Sequence, residues 1–286
     1  MNKKKEENKK RKIIPIIFLY IGIFAISCSL SYLISYYKDL KDTENTYSEV
    51  RDLVDDDSSK DDSSIEPKVI KRKPDEVIES ETEPKITVEH TKYNKVYEQN
   101  KDFVGWITVP GTIIDYPVMQ TPGWEQKYLH TNFYGYWDYE GVPFCSLKSN
   151  LAAPSDNILI YGHHMKYGTM FAQLMNYSRK EFYDEHKIFY FDSIYRTGTY
   201  EVIAVILTDT YSNSFKYWNY GMCNKQEFNE YLNFIKSHAL YKTDLIDSVE
   251  YGDLLCSLST CAYHNSQGRM LVVGKMIDTD DKSLMQ

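Results

Sequence analysis

Near its carboxyl end the chain contains two apolar runs, rich in β-forming residues, on either side of a short polar segment. The runs cover residues 254–261 and 269–275, and the polar segment between them covers residues 263–268. This pattern predicts two neighbouring β-strands joined by a loop. Cys261 then ends the first strand and Arg269 begins the second, so a thiol and a guanidinium are expected at the same edge of one sheet.

Cys261 is the candidate nucleophile. A free cysteine is more often a buried structural residue, but Cys261 follows Ser259 and Thr260 and precedes a polar loop, so we expect it to be exposed. Cys256, inside the apolar run, fits the structural role better. A thiolate beside a fixed cation suits acyl transfer, because the thiolate attacks the carbonyl carbon and the cation stabilises the developing charge. The alternative for Arg269 is an ordinary surface arginine at the start of a strand.

The candidate base lies in another apolar run, residues 157–164, which ends in Gly162 and two histidines. A strand that ends there brings His163 within reach of the same edge of the sheet. Side chains alternate along a strand, so at most one of His163 and His164 faces the thiol, and the residues alone leave the choice open. His264, which follows Cys261 closely, is a further candidate.

Composition excludes several classes of protein. The chain has 286 residues, 26 of them tyrosine, and this aromatic content favours a β-rich fold with a half-exposed groove. The formal net charge is −8 without a basic face, which excludes nucleic acid as a partner. Five cysteines without C-x-x-C spacing predict neither a disulfide framework nor a zinc site. We expect no cofactor and no metal, although the acidic segments leave calcium open.

The amino-terminal part of the chain has the charge pattern of a membrane anchor. Residues 1–12 are strongly basic, and residues 13–37 have no charged side chain. About 20 apolar residues suffice for a helix to cross the hydrocarbon core of a membrane. The basic residues should stay in the cytoplasm, which places the rest of the chain outside the cell. A cleaved signal peptide and a lipoprotein signal that ends at Cys28 are the alternatives.

The remaining chain divides into a stalk, a domain and a tail. Residues 38–90 are acidic, with Tyr47 as their one aromatic residue, and this composition predicts a disordered stalk. Residues 91–278 contain many short β-type runs separated by turn signals, and one amphipathic helix over residues 225–237. They predict a mainly β domain, either a closed barrel or a sandwich, with one inserted helix. Residues 279–286 form a tail.

Four motifs and Arg269 together resemble the class B sortases, over residues 94–275. The motifs are Val-Gly-Trp-Ile at 104–107, Tyr-Pro-Val at 116–118, Tyr-Gly-His-His-Met-Lys at 161–166 and Leu-Ser-Thr-Cys at 258–261. This resemblance implies a closed eight-stranded sortase-type β-barrel with added N-terminal helices and a helix before the cysteine strand. A single transmembrane helix is expected to precede the barrel.

The resemblance also implies an activity. It predicts a membrane-anchored cysteine transpeptidase on the outer face of a Gram-positive cell, which cleaves a sorting motif of secreted proteins after Thr and forms a thioacyl-enzyme. The acyl group then passes to an amine of a peptidoglycan precursor. The catalytic residues of the family fall on His163, Cys261 and Arg269, which favours His163 over His164. Its groove-lining positions fall on three further residues: Leu129, Tyr161 and Ser259.

Two other functions remain as alternatives. An extracellular cysteine protease would hydrolyse the same thioacyl intermediate, and a stalked surface-binding domain would have no catalytic activity. The anchor and the stalk fit all three functions equally, so only the site can discriminate between them. The sorting motif, the acceptor amine and the kind of substrate (haem-uptake protein, adhesin or pilin) are left open by the sequence.

Overall fold

A computed structural model describes residues 2–58, 91–152 and 155–277, which fall into two compact units, Met1–Glu49 and Val50–Gln286. The first unit consists of most of helix α1, Asn2–Ser58. Within Ile16–Val54 this helix contains an 18-residue window with a mean hydropathy of 2.1. Its length and composition therefore allow it to cross a membrane, although a signal sequence has the same properties. The predicted anchor at residues 13–37 lies in this helix.

Helix α1 continues through residues 38–58, which the sequence analysis assigned to the disordered stalk. Val50 and Val54, one helical turn apart, are buried in the second unit. Arg51 donates a hydrogen bond to the carbonyl oxygen of Asp115 at 3.3 Å. The prediction of disorder followed the acidic composition and did not take into account this helical spacing of apolar residues. The rest of the stalk, residues 59–90, and the tail at 279–286 lie outside the described residues.

The second unit is built on eight strands. They are β1 Phe103–Thr108, β2 Asp115–Met119, β3 Phe144–Cys145, β4 Asn157–Tyr161, β5 Ile188–Ser193, β6 Thr199–Asp209, β7 Leu255–Cys261 and β8 Gly268–Met276. These strands close into a barrel in the order β1-β2-β3-β4-β7-β8-β6-β5. The prediction of a mainly β, closed eight-stranded barrel is confirmed, and the sandwich alternative is wrong.

Strand pairing at β7 determines which residues meet at the edge of the barrel. Strand β4 pairs with β7 in parallel, and the last pair in this ladder joins Tyr161 to Ser259. Strand β8 pairs with β7 in antiparallel, and Cys261 is the direct partner of Arg269. The ends of β4 and β7 and the start of β8 therefore lie side by side.

Helices pack around the barrel. Short helices α2 Asn94–Gln99 and α3 Lys180–Glu185 precede β1 and β5, and α4 Lys225–His238 is inserted between β6 and β7. The side chain of Asn224 caps α4 and forms a reciprocal capping box with Glu227. The buried face of α4 shares a core with barrel residues such as Leu255 and Leu271. The position of α4 confirms the prediction of one helix inserted in the β domain.

Candidate active site

A groove of about 700 Å³ opens where β4 and β7 end. All six residues that the sequence analysis singled out for the site line it: Leu129, Tyr161, His163, Ser259, Cys261 and Arg269. They come from three separate parts of the sequence: the 3₁₀ turn Lys127–His130, the end of β4 with the residues just after it, and the hairpin of β7 and β8. The barrel thus brings the predicted thiol, imidazole and guanidinium to one cavity.

Cys261 differs from the other cysteines of the barrel in its exposure. It is partly exposed at the end of β7, whereas Cys145, Cys223 and Cys256 are buried. Burial raises the pKa of Cys145 to about 12 and raises the pKa of Cys256 well above its usual value. Because the thiolate is the nucleophilic form, these buried thiols are unreactive. Of the barrel cysteines, only Cys261 is open to a substrate.

Arg269 is held in place by backbone groups of the β7–β8 loop. Its Nη1 donates to the carbonyl oxygen of Gly268 at 2.9 Å, while the residue itself lines the groove. Opposite residues on antiparallel strands have Cβ atoms about 4.5–5.5 Å apart. The guanidinium has further donors beyond the one bound to the backbone. This arrangement places a fixed cation beside Cys261.

His163 lies in the groove as a half-buried ring. Its Nε2 is 2.7 Å from the carbonyl oxygen of Leu129, and its ring stacks on His130 with centroids 5.3 Å apart. Burial is the main cause that lowers the pKa of His163, and the charge of His130 lowers it further, while the Leu129 carbonyl and Asp138 oppose this shift. The ring is therefore held largely neutral near neutral pH. A carbonyl only accepts, so Nε2 bears the proton and Nδ1 is the basic nitrogen.

Neither of the two competing histidines is among the described residues that line the groove. The Nδ1 atom of His164 lies 2.7 Å from the backbone oxygen of Cys261. His264 is exposed in the β7–β8 loop. His163 lines the cavity, and His164 contacts the backbone of the cysteine. The assignment of His163 as the base stays a prediction.

The three predicted groove residues have different contacts. The Tyr161 ring packs on Phe144 with centroids 5.3 Å apart, and burial raises the pKa of its phenol. The hydroxyl of Ser259 shares a hydrogen bond of 3.0 Å with that of Tyr217. Leu129 lines the cavity and also supplies the carbonyl that holds His163. This second role of Leu129 was not predicted, because a backbone contact leaves no mark in the sequence.

Several residues of the groove were not predicted from the sequence. Tyr217 and Trp218 lie between β6 and α4, and Trp124 precedes the turn that contains Leu129. The aromatic segment 215–220 marks a cluster of rings, but nothing in the local pattern indicates that the barrel places it beside Ser259. Its position depends on the packing of α4, which is a tertiary feature.

A thiol, a neutral imidazole and a guanidinium in one groove can together perform nucleophilic acyl transfer. In the part of the chain that the structure describes, no group of three or more His, Cys, Asp or Glu side chains is placed to hold a metal ion. The expected absence of a metal stays a prediction. Fold and groove together define a class of protein: cysteine acyltransferases built on a closed β-barrel.

Comparisons with known proteins identify the family. Residues 107–277 match the Sortase domain model. The chain is 32% identical over 193 residues to Sortase B of Staphylococcus aureus (strain NCTC 8325 / PS 47), covering 66% of this chain and 77% of the relative. It is 33% identical over 180 residues to Sortase B of Listeria monocytogenes serovar 1/2a, covering 62% of this chain and 71% of the relative.

The solved structure of a Staphylococcus aureus sortase B-substrate complex has a similar fold. Its TM-score is 0.68 at 26% identity, over 85% of this chain and 99% of that one. The chain belongs to the sortase family, and the curated relatives place it in class B. It is therefore a cysteine transpeptidase, and the expected resemblance is confirmed.

Proposed function

We propose that this chain is a membrane-anchored sortase that cleaves a sorting motif of secreted proteins after Thr and transfers them to an amine of a cell-wall precursor. The observation that supports it best is the direct pairing of Cys261 with Arg269 across β7 and β8, in the groove that His163 also lines. Cys261 is the proposed nucleophile, Arg269 the proposed oxyanion donor and His163 the proposed base.

In the first half of the reaction, the sulfur of Cys261 attacks the carbonyl carbon of the substrate Thr. The proton of the thiol passes to His163, and the negative charge on the carbonyl oxygen is stabilised by Arg269. The tetrahedral intermediate then collapses: the peptide C–N bond breaks, His163 gives the proton to the leaving amine, and the thioacyl-enzyme remains.

In the second half, the amine of the acceptor attacks the thioacyl carbon. His163 takes a proton from this amine, the C–S bond breaks, the new amide leaves, and the proton returns from His163 to the sulfur of Cys261. The hydrogen bond from Nε2 to Leu129 keeps Nδ1 as the unprotonated nitrogen of the neutral ring, so Nδ1 is the proposed site of proton transfer. Burial favours the neutral ring that each proton transfer needs.

The size and lining of the groove support a short peptide as the first substrate. Its volume of about 700 Å³ is within the range of small-molecule sites. We assign Leu129, Tyr161 and Ser259 to contacts with this peptide. The likeness to a structure described as a sortase B-substrate complex supports the same location, although that description concerns the Staphylococcus aureus protein.

The proposed location is the outer face of a Gram-positive cell membrane, with the amino terminus in the cytoplasm. It is supported by the uncharged segment 13–37 in helix α1 and by the basic residues 1–12 before it. Under the positive-inside rule, this order of charges directs the barrel to the outside. Protease accessibility in intact cells tests the orientation: a tag after residue 286 should be cleaved, and a tag before residue 1 should be protected.

The activity is tested with the full chain in detergent micelles. We expect a fluorogenic peptide with a Thr-containing sorting motif to be cleaved, and a thioacyl adduct to appear on Cys261 by mass spectrometry. Addition of a peptide with a free primary amine should divert the product from acid to amide. Cleavage that yields only acid at every amine concentration would support the protease alternative. No adduct with any peptide of a diverse library would support the binding domain.

A further inference from the structure

Strand β7 continues past the point where its neighbour β4 ends. The backbone N–H of Gly162 donates to the carbonyl oxygen of Ser259 at 3.1 Å, and among the described residues this is the last backbone hydrogen bond between β7 and the segment of β4. Carbonyl groups two residues apart on a strand point to the same side. The carbonyl oxygen of Cys261 therefore also points toward β4, at a level where β4 no longer offers a backbone donor. A backbone carbonyl in this position needs another partner.

His164 supplies that partner. Its Nδ1 lies 2.7 Å from the carbonyl oxygen of Cys261, and since a carbonyl only accepts, Nδ1 carries the proton. In return, the hydroxyl of Tyr263 donates to the backbone oxygen of His164 at 2.8 Å. The two rings are in contact, with centroids 4.7 Å apart. The segments after β4 and after β7 are thus joined by two side-chain hydrogen bonds that run in opposite directions.

We propose that His164 and Tyr263 form a bracket that positions the Cys261 thiol relative to the His163 imidazole for acyl transfer. His164 is adjacent to His163 in the chain, and it binds the backbone of the nucleophile itself, so the bracket fixes the distance between base and nucleophile. This inference rests on the proposed roles of Cys261 and His163. His164 and Tyr263 are positioning residues, since neither lines the groove among the described residues.

The protonation of Nδ1 distinguishes a positioning role of His164 from a role as a second acid–base group. An imidazole whose Nδ1 already donates can keep this bond in its neutral and in its charged form, because Nδ1 is protonated in both. Loss of the bracket should therefore lower the rate at every pH without moving the pH profile. A histidine that acted as the base would move the profile when it is replaced.

The test compares two substitutions of His164 in the full chain in detergent micelles. Asparagine can place an amide N–H near the position of Nδ1, whereas leucine has a similar size and no donor. We expect His164→Leu to lower kcat by about 10- to 100-fold with KM nearly unchanged, since small misplacements of reacting groups cost this much. His164→Asn should recover most of kcat. A kcat for His164→Leu close to wild type, or equal losses in both variants, would overturn the proposal.

Tyr263→Phe provides a milder test in case His164→Leu does not fold. It removes the hydroxyl that binds His164 and keeps the ring. We therefore expect kcat to fall by about two- to tenfold, which corresponds to the net free energy of one hydrogen bond. Tyr136→Phe, at a tyrosine that is 71% exposed, is the matched control and should keep full activity. Equal activity of the two variants contradicts the role of the Tyr263 hydroxyl in the bracket.

Failure of the bracket can be distinguished from failure of the proposed function. If the wild-type chain forms no thioacyl adduct with any sorting peptide, the proposed function fails. The rate at which iodoacetamide alkylates Cys261, at one fixed pH, then tests the bracket without a substrate. His164→Leu should slow this alkylation several-fold and His164→Asn should restore it, whereas equal rates in all three chains would reject the bracket.

Discussion

Two cysteines of strand β7 have opposite environments. Cys256 lies near the start of the strand and is fully buried, whereas Cys261 lies at its end and is partly exposed. Across the ladder to β8, Cys256 faces Gly274, which offers no side chain, and Cys261 faces Arg269. Burial raises the pKa of Cys256 well above its usual value, so this thiol stays protonated. Reactivity is thus decided by position along one strand.

The two cysteines also occupy opposite faces of the sheet. Side chains alternate along a strand, and Cys261 shares its face with Ser259 and Ser257, whose hydroxyls bond to Tyr217 and Tyr231. Both tyrosines belong to the segment between β6 and β7, and Tyr231 lies in α4. Cys261 therefore extends a row of side chains on the face that α4 covers. The groove opens where this cover ends.

The largest effect that this comparison predicts is the loss of activity in Cys261→Ala. We expect the rate of peptide cleavage to fall by at least about 10⁴-fold, since the loss of a nucleophile removes the covalent route. Cys256→Ala, the matched control on the same strand, should keep the rate within about twofold, because Cys256 lies away from the groove. Steady-state cleavage of the fluorogenic peptide measures both. Similar losses in the two variants would show that β7 tolerates no change.

The cation opposite Cys261 should have the next largest effect. Arg269→Lys keeps the charge but loses the planar fork of donors, so we expect kcat to fall by about 10²- to 10³-fold, as for the loss of an oxyanion donor. Arg179→Lys, at an exposed arginine before α3, is the control and should be unchanged. If lysine supports the full rate at position 269, a simple positive charge suffices and the oxyanion role of the fork is wrong.

Serine substitutions at the two cysteines should separate stability from activity. Cys256→Ser buries a hydroxyl in the apolar interior, and we expect it to lower the free energy of unfolding by about 1–3 kcal/mol. Cys261→Ser, at the groove, should change the free energy of unfolding by less than about 0.5 kcal/mol and still abolish transfer. Chemical denaturation of both variants tests this contrast. Equal destabilisation would contradict the difference in environment between the two positions.

The smallest predicted effect concerns His163, the proposed base. Burial and the charge of His130 lower the pKa of His163, so the neutral ring persists below the ordinary histidine pKa of about 6.5. We expect the acid limb of kcat/KM to lie below this value. His130→Phe keeps a stacked ring and removes the imidazole that lowers the pKa of His163, so this pKa should rise and the acid limb should move to higher pH. A shift to lower pH, or none, would contradict this coupling.

Most of the fold was predictable from local pattern. The two β-rich runs at the carboxyl end became β7 and β8, and the amphipathic segment at 225–237 became α4. The helical state of residues 38–58 was missed, because acidic composition outweighed the spacing of Val50 and Val54. Composition describes the average environment of a segment, whereas burial of two side chains on a neighbouring surface depends on the fold.

The candidate site was only partly predictable. The motifs indicated the residue types of the site and, through their likeness to a family, the choice of His163. They did not indicate that Tyr217 would lie beside Ser259, or that the carbonyl of Leu129 would hold the imidazole. Aromatic packing and backbone contacts between distant segments have no local sequence signal.

The sequence by itself determined which runs form strands, the apolar helix, and the presence of a thiol, two imidazoles and a guanidinium near strand ends. The tertiary structure decided which of these groups meet. Closure of the barrel set β4 in parallel beside β7 and β8 in antiparallel on its other side. That strand pairing placed His163 in the groove and His164 against the backbone of Cys261. Two adjacent residues can have such different partners because the partners come from distant segments, whose positions depend on the closed barrel.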